Sequence, residues 1–245
     1  MTKKSLIGAF AVLLSLTGYA QTVPEPKFPN RFVGSPEFDT TSGRQSAGTA
    51  FLARSAADEQ VFILTVRHLL GPDGGFKELT PQDKVPSFVK SIRLKPFGGG
   101  GGGRDYPVQG LVLPTEDDSK EPLYDLAIFK TTGTFPSDAV ELADEKPALG
   151  DTVWVIAEVR GGAKKGQIVH SAIVTEAGDR WLVCDFDNPS IVPNGASGAP
   201  VLNAAGKVVG IIHGGLGKNG GRVQVVAIPS PLILQVIGSQ SPAAQ

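Results

Sequence analysis

The stretch NGASGAPVLNAAGKVVGIIHGG (residues 194–215) contains two short apolar runs separated by a polar turn. The runs APVLN and KVVGIIH are rich in β-branched residues and are bounded by glycine or asparagine, which is typical of paired strands. Ser197 lies ahead of them between Gly195 and Gly198, where the chain can turn sharply. Ser197 is therefore either a small turn residue or a hydroxyl that takes part in chemistry.

Short apolar runs of the same kind recur along the chain from Gly48 onward. Among them are TAFLA (49–53), VFILTV (61–66), LAIFK (126–130), DTVWVIAEV (151–159) and RVQVVAI (222–228). The 31 glycines and 19 prolines favour many turns over long helices. This pattern predicts an all-β sandwich or barrel. SPLILQVIG (230–238) has helical apolar spacing and begins with Ser-Pro, so it predicts a short C-terminal helix.

The domain organisation is predicted from shifts in composition. A chain of 245 residues forms one large domain or two small ones that share a core. Residues 21–45 are polar and predict an N-terminal lead-in, and the charged segment LADEKPAL (142–149) divides the remainder into halves at 46–140 and 141–240. The glycine run at 98–103 predicts a flexible surface loop, because it lacks the lysine and hydroxyl residue of a phosphate-binding loop.

The N-terminal 20 residues predict a cleaved signal peptide. Lys3 and Lys4 precede the apolar run at 6–16, and Ala20 supplies a small residue for cleavage. The alternative is an anchoring helix, but spanning a bilayer takes about 20 apolar residues. We therefore expect a secreted or periplasmic protein that makes no contact with the membrane after cleavage.

Charge and cysteine content restrict the function classes further. The formal net charge is −1, which indicates neither nucleic acid nor an anionic membrane as a partner. Cys184 is the only cysteine, so no intramolecular disulfide can form. Because it lies in the apolar run RWLVCDF, we interpret Cys184 as a buried small hydrophobe.

A reactive serine needs a base, usually a histidine that a buried carboxylate holds in place. His68 ends the apolar run VFILTVRHLL, and Asp125 directly precedes LAIFK. Each has a plain structural alternative: an edge histidine that is already hydrogen-bonded, and a turn or cap aspartate. His170 lies inside an apolar run and is interpreted as structural or solvent-facing.

These blocks together resemble the chymotrypsin/trypsin-like serine peptidase family, and in particular its bacterial, disulfide-free V8-like and HtrA-like branches. The resemblance rests on AGTAFLAR…VFILTVRHLL, YDLAIFK, the stretch at 194–215 and VQVVAIPSPLILQVI, and it covers about residues 48–237. It implies two six-stranded antiparallel β-barrels with a site in the cleft between them, followed by a closing helix.

The resemblance also implies roles for individual residues. His68 would be the general base, Asp125 would orient it, and Ser197 would be the nucleophile. The N–H groups of Gly195 and Ser197 would form the oxyanion hole. The family implies a protein or peptide substrate, with no metal or other cofactor, and we expect a monomer.

Substrate preference is predicted from two segments. Ile191 is expected at the floor of the specificity pocket; neither it nor its neighbour Val192 is acidic, which disfavours a preference for Lys or Arg. His213, Gly214 and Gly215 are expected to bind the substrate, with the glycines leaving the pocket open. Apolar or small side chains are the default prediction, and binding of a substrate carboxylate by His213 is the alternative.

Several positions depart from the family pattern. Arg67 precedes His68, and its charge would disfavour the protonated imidazole if the two groups were close. Ala196 replaces the aspartate that pairs with a newly cut N-terminus, which predicts no zymogen switch of that type. Because of these departures, a catalytically inactive domain that binds peptides or a protein partner stays the alternative. A metal hydrolase is disfavoured, since the three histidines lack ligand spacing.

Overall fold

The computed structural model describes residues 23–56, 60–97, 102–112, 123–132, 136–217 and 223–239. The predicted signal peptide at 1–20 lies outside the described residues, as does the part of the glycine run at 98–101. In the described ranges, no helix is long and apolar enough to cross a membrane.

The N-terminal half forms a closed barrel of six strands with two further strands at its edges. The elements are β1 (Val33–Thr40), β2 (Gly43–Ser46), β3 (Ala50–Arg54), β4 (Val61–Val66), the one-turn helix α1 (Val85–Phe88), β5 (Val89–Pro96), β6 (Arg104–Val112), β7 (Leu126–Thr131) and β8 (Val140–Glu141). The order β1-β5-β6-β7-β4-β3 closes through the β1–β3 pair, while β2 extends β1 and β8 runs parallel to β3.

The C-terminal half forms a second closed barrel. Its elements are β9 (Thr152–Ile156), β10 (Val169–Ala177), β11 (Leu182–Phe186), β12 (Pro200–Leu202), β13 (Val208–Gly217), β14 (Val223–Pro229) and the terminal helix α2 (Ser230–Ser239). The strands close in the order β10-β11-β14-β13-β12-β9, and all of these pairs are antiparallel. The prediction of two six-stranded barrels and a short closing helix is confirmed.

The first barrel begins earlier than predicted. β1 and most of β2 lie in the segment 21–45, which the sequence predicted to be a lead-in. Along β1, alternate positions such as Phe38 and Thr40 are buried while Glu37 and Asp39 are partly exposed. This period of two marks a strand with one face in the core. The sequence prediction missed this alternation, because the polar outer face and the proline give the segment the composition of a loop.

The buried hydrophobic residues form two clusters, and most residues of each cluster come from one barrel. All six residues of β4 are buried, so both faces of this strand are covered. β3 and β7 pair with its two edges, and β13 of the second barrel contacts it. In the second barrel, Cys184 is buried in β11, as predicted. Burial raises the pKa of its thiol to about 12, which leaves the thiol uncharged at neutral pH.

Candidate active site

The pairing of β4 with β7 brings two short turns together. The last residue of β4, Val66, lies opposite the first residue of β7, Leu126. A one-turn 3-10 helix, Arg67–Leu70, follows β4, and another, Leu123–Asp125, precedes β7. Because the strands are antiparallel, the end of one is beside the start of the other, so these two turns are neighbours.

His68 and Asp125 meet at these turns. The His68 backbone N–H donates to Asp125 Oδ1 at 2.7 Å, and His68 Nδ1 lies 2.7 Å from Asp125 Oδ2. An ionised carboxylate only accepts hydrogen bonds, so Nδ1 carries the hydrogen and Nε2 is left as the basic nitrogen. The two contacts hold both the ring and its tautomer.

A second imidazole reaches the same carboxylate from the other barrel. His213 Nδ1 lies 2.8 Å from Asp125 Oδ2, the oxygen that His68 also contacts. Burial pushes the pKa of Asp125 upward, but the hydrogen bonds from His213 and His68 outweigh burial and hold that pKa below its ordinary value. Asp125 is therefore a stable anion placed between two rings.

Arg67 does not lie as a free charge beside His68. Its side chain is buried, and its guanidinium stacks on the ring of Tyr124 at 3.7 Å from the centroid. This cation–π contact joins the turn that carries His68 to the turn that carries Asp125. The sequence prediction missed Tyr124, because nothing in its neighbourhood indicates what packs against it.

The Ser197 turn is held by glycines and by hydrogen bonds. Gly195 and Gly198 have φ values of +100° and +81°, a region that residues with a Cβ rarely adopt. A Cβ on Gly198 would also lie 2.1 Å from the carbonyl oxygen of Thr49. Thr49, just before β3, donates its N–H to Ser197 O and its hydroxyl to Gly195 O, both at 2.8 Å. Thr49 thus joins the first barrel to both sides of the turn.

Gly48 lies between the Ser197 turn and the turn that carries His68. A Cβ on Gly48 would lie 2.6 Å from the side chain of Leu69, the residue after His68, and 2.8 Å from Ser197 O. In the described part of the chain, the Ser197 hydroxyl makes no hydrogen bond with His68. Contacts of this kind are often long in unliganded enzymes and shorten when substrate binds.

The N–H groups of Gly195 and Ser197 both lack an acceptor among the residues that the structure describes. The N–H between them, that of Ala196, donates to Pro193 O at 2.9 Å. Paired N–H groups without internal partners are what an oxyanion requires.

The residues predicted to bind substrate lie in different surroundings. Ile191 is buried in the core of the second barrel, whereas its neighbour Val192 is 43% exposed. A Cβ on Gly214 would meet nothing within 4 Å, and one on Gly215 would approach Val223 at 3.1 Å. Val192 and the two glycines are therefore accessible, whereas Ile191 belongs to the core of the second barrel.

The third histidine is separate from this site. His170 is buried, and its Nε2 lies 3.0 Å from Ala157 O. Burial lowers the pKa of its ring, which favours the neutral form. This agrees with the structural interpretation of His170.

Comparison with known proteins places the chain in a family. The model of the trypsin-like peptidase domain matches residues 48–211, which is more than half of the chain. The chain belongs to the trypsin-like peptidase domain family. No curated protein sequence matches it.

Solved structures of two proteases resemble this trypsin-like domain. The serine endoprotease from Yersinia pestis aligns with a TM-score of 0.54 and 20% identity, over 86% of this chain and 63% of that one. The thermostable serine protease AL20 from an extremophilic microorganism aligns with a TM-score of 0.56 and 17% identity, over 87% of this chain and 99% of that one. At this identity the likeness shows the fold alone, and the chain spans less than two thirds of the Yersinia protein.

One set of residues in the trypsin-like domain has the ligand types of a metal site. The ligand atoms of His68, Asp125 and His213 lie within 4.8 Å of one another, and two imidazoles with a carboxylate suit zinc. Ligands about 2 Å from a tetrahedral zinc ion are roughly 3.3 Å apart. The Nδ1–Oδ2 distances of 2.7 and 2.8 Å are those of hydrogen bonds, with a proton between each pair.

Proposed function

We propose that this chain is a serine endopeptidase that cleaves peptide bonds through an acyl-enzyme on Ser197. The observation that carries this proposal is the double hydrogen bond from His68 to Asp125 beside the Ser197 turn. A neutral imidazole held in one tautomer against a half-buried anion is the base that a serine hydroxyl needs. Family membership supports the same reaction class.

The proposed reaction uses each of these groups in turn. His68 Nε2 takes the proton from Ser197 Oγ as the oxygen bonds to the carbonyl carbon of the substrate. Asp125 stabilises the imidazolium that forms. His68 then passes the proton to the leaving amine, the peptide C–N bond breaks, and an ester to Ser197 remains. Water hydrolyses the ester by the same steps, which restores the free hydroxyl.

The negative oxygen of each tetrahedral intermediate would bind the N–H groups of Gly195 and Ser197. Both groups lack an acceptor within the described residues, so they can donate without first breaking another hydrogen bond. In comparable sites one such donor contributes about 10²–10³-fold to kcat.

We propose apolar or small side chains as the preferred substrate residues. Val192 is exposed beside Gly161, and the surface at Gly214 and Gly215 carries no side chain. None of these residues offers a charge to a lysine or arginine. Substitution Gly215→Val should reduce cleavage after large residues more than after alanine, because the added methyls enter the space next to Val223.

Export stays a proposal that rests on residues 1–20. Expression of the full chain with its N-terminus, followed by N-terminal sequencing of the exported protein, tests it. A mature chain that begins at Gln21 supports the proposal, and retention of the first 20 residues contradicts it.

One observation favours the alternative, a domain that binds peptides without hydrolysing them. In the described residues, the Ser197 hydroxyl is not hydrogen-bonded to His68, so the relay is incomplete without substrate. In that case a peptide would bind in the cleft and dissociate uncleaved.

A fluorophosphonate probe separates the two functions, since it forms a covalent bond only with an activated serine. We expect labelling of the wild-type chain and of Ser87→Ala, an exposed control, and none of Ser197→Ala. Ser197→Ala and His68→Ala should each reduce kcat by about 10⁴-fold or more, and the double variant little further, because relay members act as a unit. A folded wild-type chain that resists the probe would favour the binding domain.

A further inference from the structure

His213 contacts Asp125 because of a local irregularity in its strand. In the β13–β14 ladder, Ile212 pairs with Ala227 and Gly214 with Val226, so His213 is an extra residue without a partner on β14. A bulge of this type redirects the side chain of the extra residue. Here the imidazole is directed across the cleft to the other barrel, where Nδ1 lies 2.8 Å from Asp125 Oδ2.

The backbone of the two residues after Ser197 fixes the strand at this point. The N–H of Gly198 donates to Ile212 O, and the N–H of Ile212 donates to Ala199 O, both at 2.8 Å. His213 follows Ile212 directly. The hydrogen bond to Asp125 therefore joins the barrel that carries Ser197 to the barrel that carries His68 and Asp125.

We propose that His213 is a positioning residue for the catalytic relay: as a neutral donor it holds Asp125 against His68, and its protonation at acid pH disables the relay. This inference rests on the proposed peptidase function. It gives His213 a role toward the carboxylate, in place of the predicted role in binding substrate.

The electrostatics follow from the shared oxygen. Both rings contact Asp125 Oδ2, so two imidazolium ions would share one anion. A proton on His213 would disfavour the second proton that His68 must accept from the serine. The other charged group at the two turns that carry His68 and Asp125 is Arg67, which is stacked on Tyr124. β4, β12, β14 and α2, the elements packed around β13, contain no charged residue.

Two substitutions separate the effects of position and of charge. His213→Asn keeps an N–H donor, because its Nδ2 has the same bond separation from Cα as histidine Nδ1, but it does not titrate. His213→Leu removes the donor. We expect His213→Leu to lower kcat by up to about 100-fold with KM little changed, because the relay shifts while the substrate contacts stay. His213→Asn should retain more activity than His213→Leu at neutral pH.

The acid limb of the plot of log kcat/KM against pH distinguishes a positioning role from a purely structural one, because a structural role would not change its slope. In wild type, both rings must be neutral, so the limiting slope should approach about two. In His213→Asn, one ring titrates, and the slope should stay at about one. A wild-type slope of one that His213→Asn leaves unchanged would overturn the proposal, as would wild-type kcat in His213→Leu. If His213→Leu does not fold, the slope of His213→Asn decides.

A measurement without catalysis keeps this test independent of the peptidase proposal. In ¹⁵N-histidine-labelled Ser197→Ala, the His68 signals should titrate in two coupled steps. In Ser197→Ala/His213→Asn they should titrate in one. A single step in both proteins contradicts the role of His213, whatever the activity. If His68 titrates in two steps but the wild-type chain resists the fluorophosphonate probe, the coupling between His68 and His213 is supported and the peptidase function is contradicted.

Discussion

The backbone N–H of Arg160 donates a hydrogen bond to the carbonyl oxygen of Asn194 at 3.0 Å. In a trans peptide the C=O and N–H groups point in opposite directions. Because Arg160 holds the carbonyl of the Asn194–Gly195 peptide on one side, the N–H of Gly195 points to the other. The orientation of this proposed oxyanion-hole donor thus depends on a neighbouring loop.

Substitution Arg160→Pro should reduce kcat by about 10²–10³-fold, because proline has no N–H and the Asn194–Gly195 peptide would be free to rotate. Arg160→Ala is the matched control, since it keeps the N–H and removes only an exposed side chain. Steady-state kinetics on a peptide substrate, with urea unfolding to verify the fold, measure the effect. Equal kcat values for the two variants would show that the hydrogen bond does not set the orientation.

Asp125 should make the stability of the fold dependent on acid pH. Its pKa in the folded chain is lowered, since the hydrogen bonds from His213 and His68 outweigh burial. The anion therefore stabilises the fold fully above the unfolded pKa of about 3.9, and this contribution is lost as pH falls through the lower folded value. At pH 6 the free energy of unfolding should be larger for wild type than for Asp125→Asn. This difference should shrink below about pH 4. Urea titrations across this range test it. The exposed control Asp73→Asn should differ little from wild type, and a gap for Asp125→Asn that is constant with pH would contradict the prediction.

The contact between Arg67 and Tyr124 should appear as a coupling energy. The Arg67 side chain is buried and stacks on the ring, and among the described residues its Nε has no hydrogen-bond partner. A double-mutant cycle with Arg67→Met and Tyr124→Leu should give a coupling of about 0.5–2 kcal/mol in the free energy of unfolding. Tyr124→Phe keeps the ring and should cost little. If the effects of the two substitutions are strictly additive, the guanidinium and the ring are close but do not stabilise each other.

The thiol of Cys184 should be inert in the folded protein. Burial raises its pKa to about 12, so almost no thiolate exists at neutral pH, and the buried side chain is closed to reagents. Iodoacetamide should leave activity unchanged, and Ellman's reagent should react only after unfolding in guanidinium chloride. Fast labelling of the native chain with loss of activity would indicate that this thiol takes part in the chemistry.

The strands were largely predictable because each records its burial in a local pattern. APVLN and KVVGIIH predict the pair that forms β12 and β13, and LAIFK predicts most of β7. β1 was missed, since Glu37 and Asp39 make its outer face polar and Pro36 interrupts its inner face. The boundary at 46 failed for the same reason, because the strand that closes the first barrel lies before it.

By itself, the sequence determined the residue types that can do the chemistry and the glycines that let the chain turn around Ser197. These are local properties, since a backbone with positive φ or an acid at the start of a strand is recorded at its own position. Only the tertiary structure decided which groups touch. A one-residue bulge turns His213 to Asp125, and contact between the two barrels brings Thr49 to the serine turn. The pairing of β4 with β7 places Tyr124 against Arg67. Such contacts depend on the register and curvature of strands that are far apart in the chain, and no single position records them.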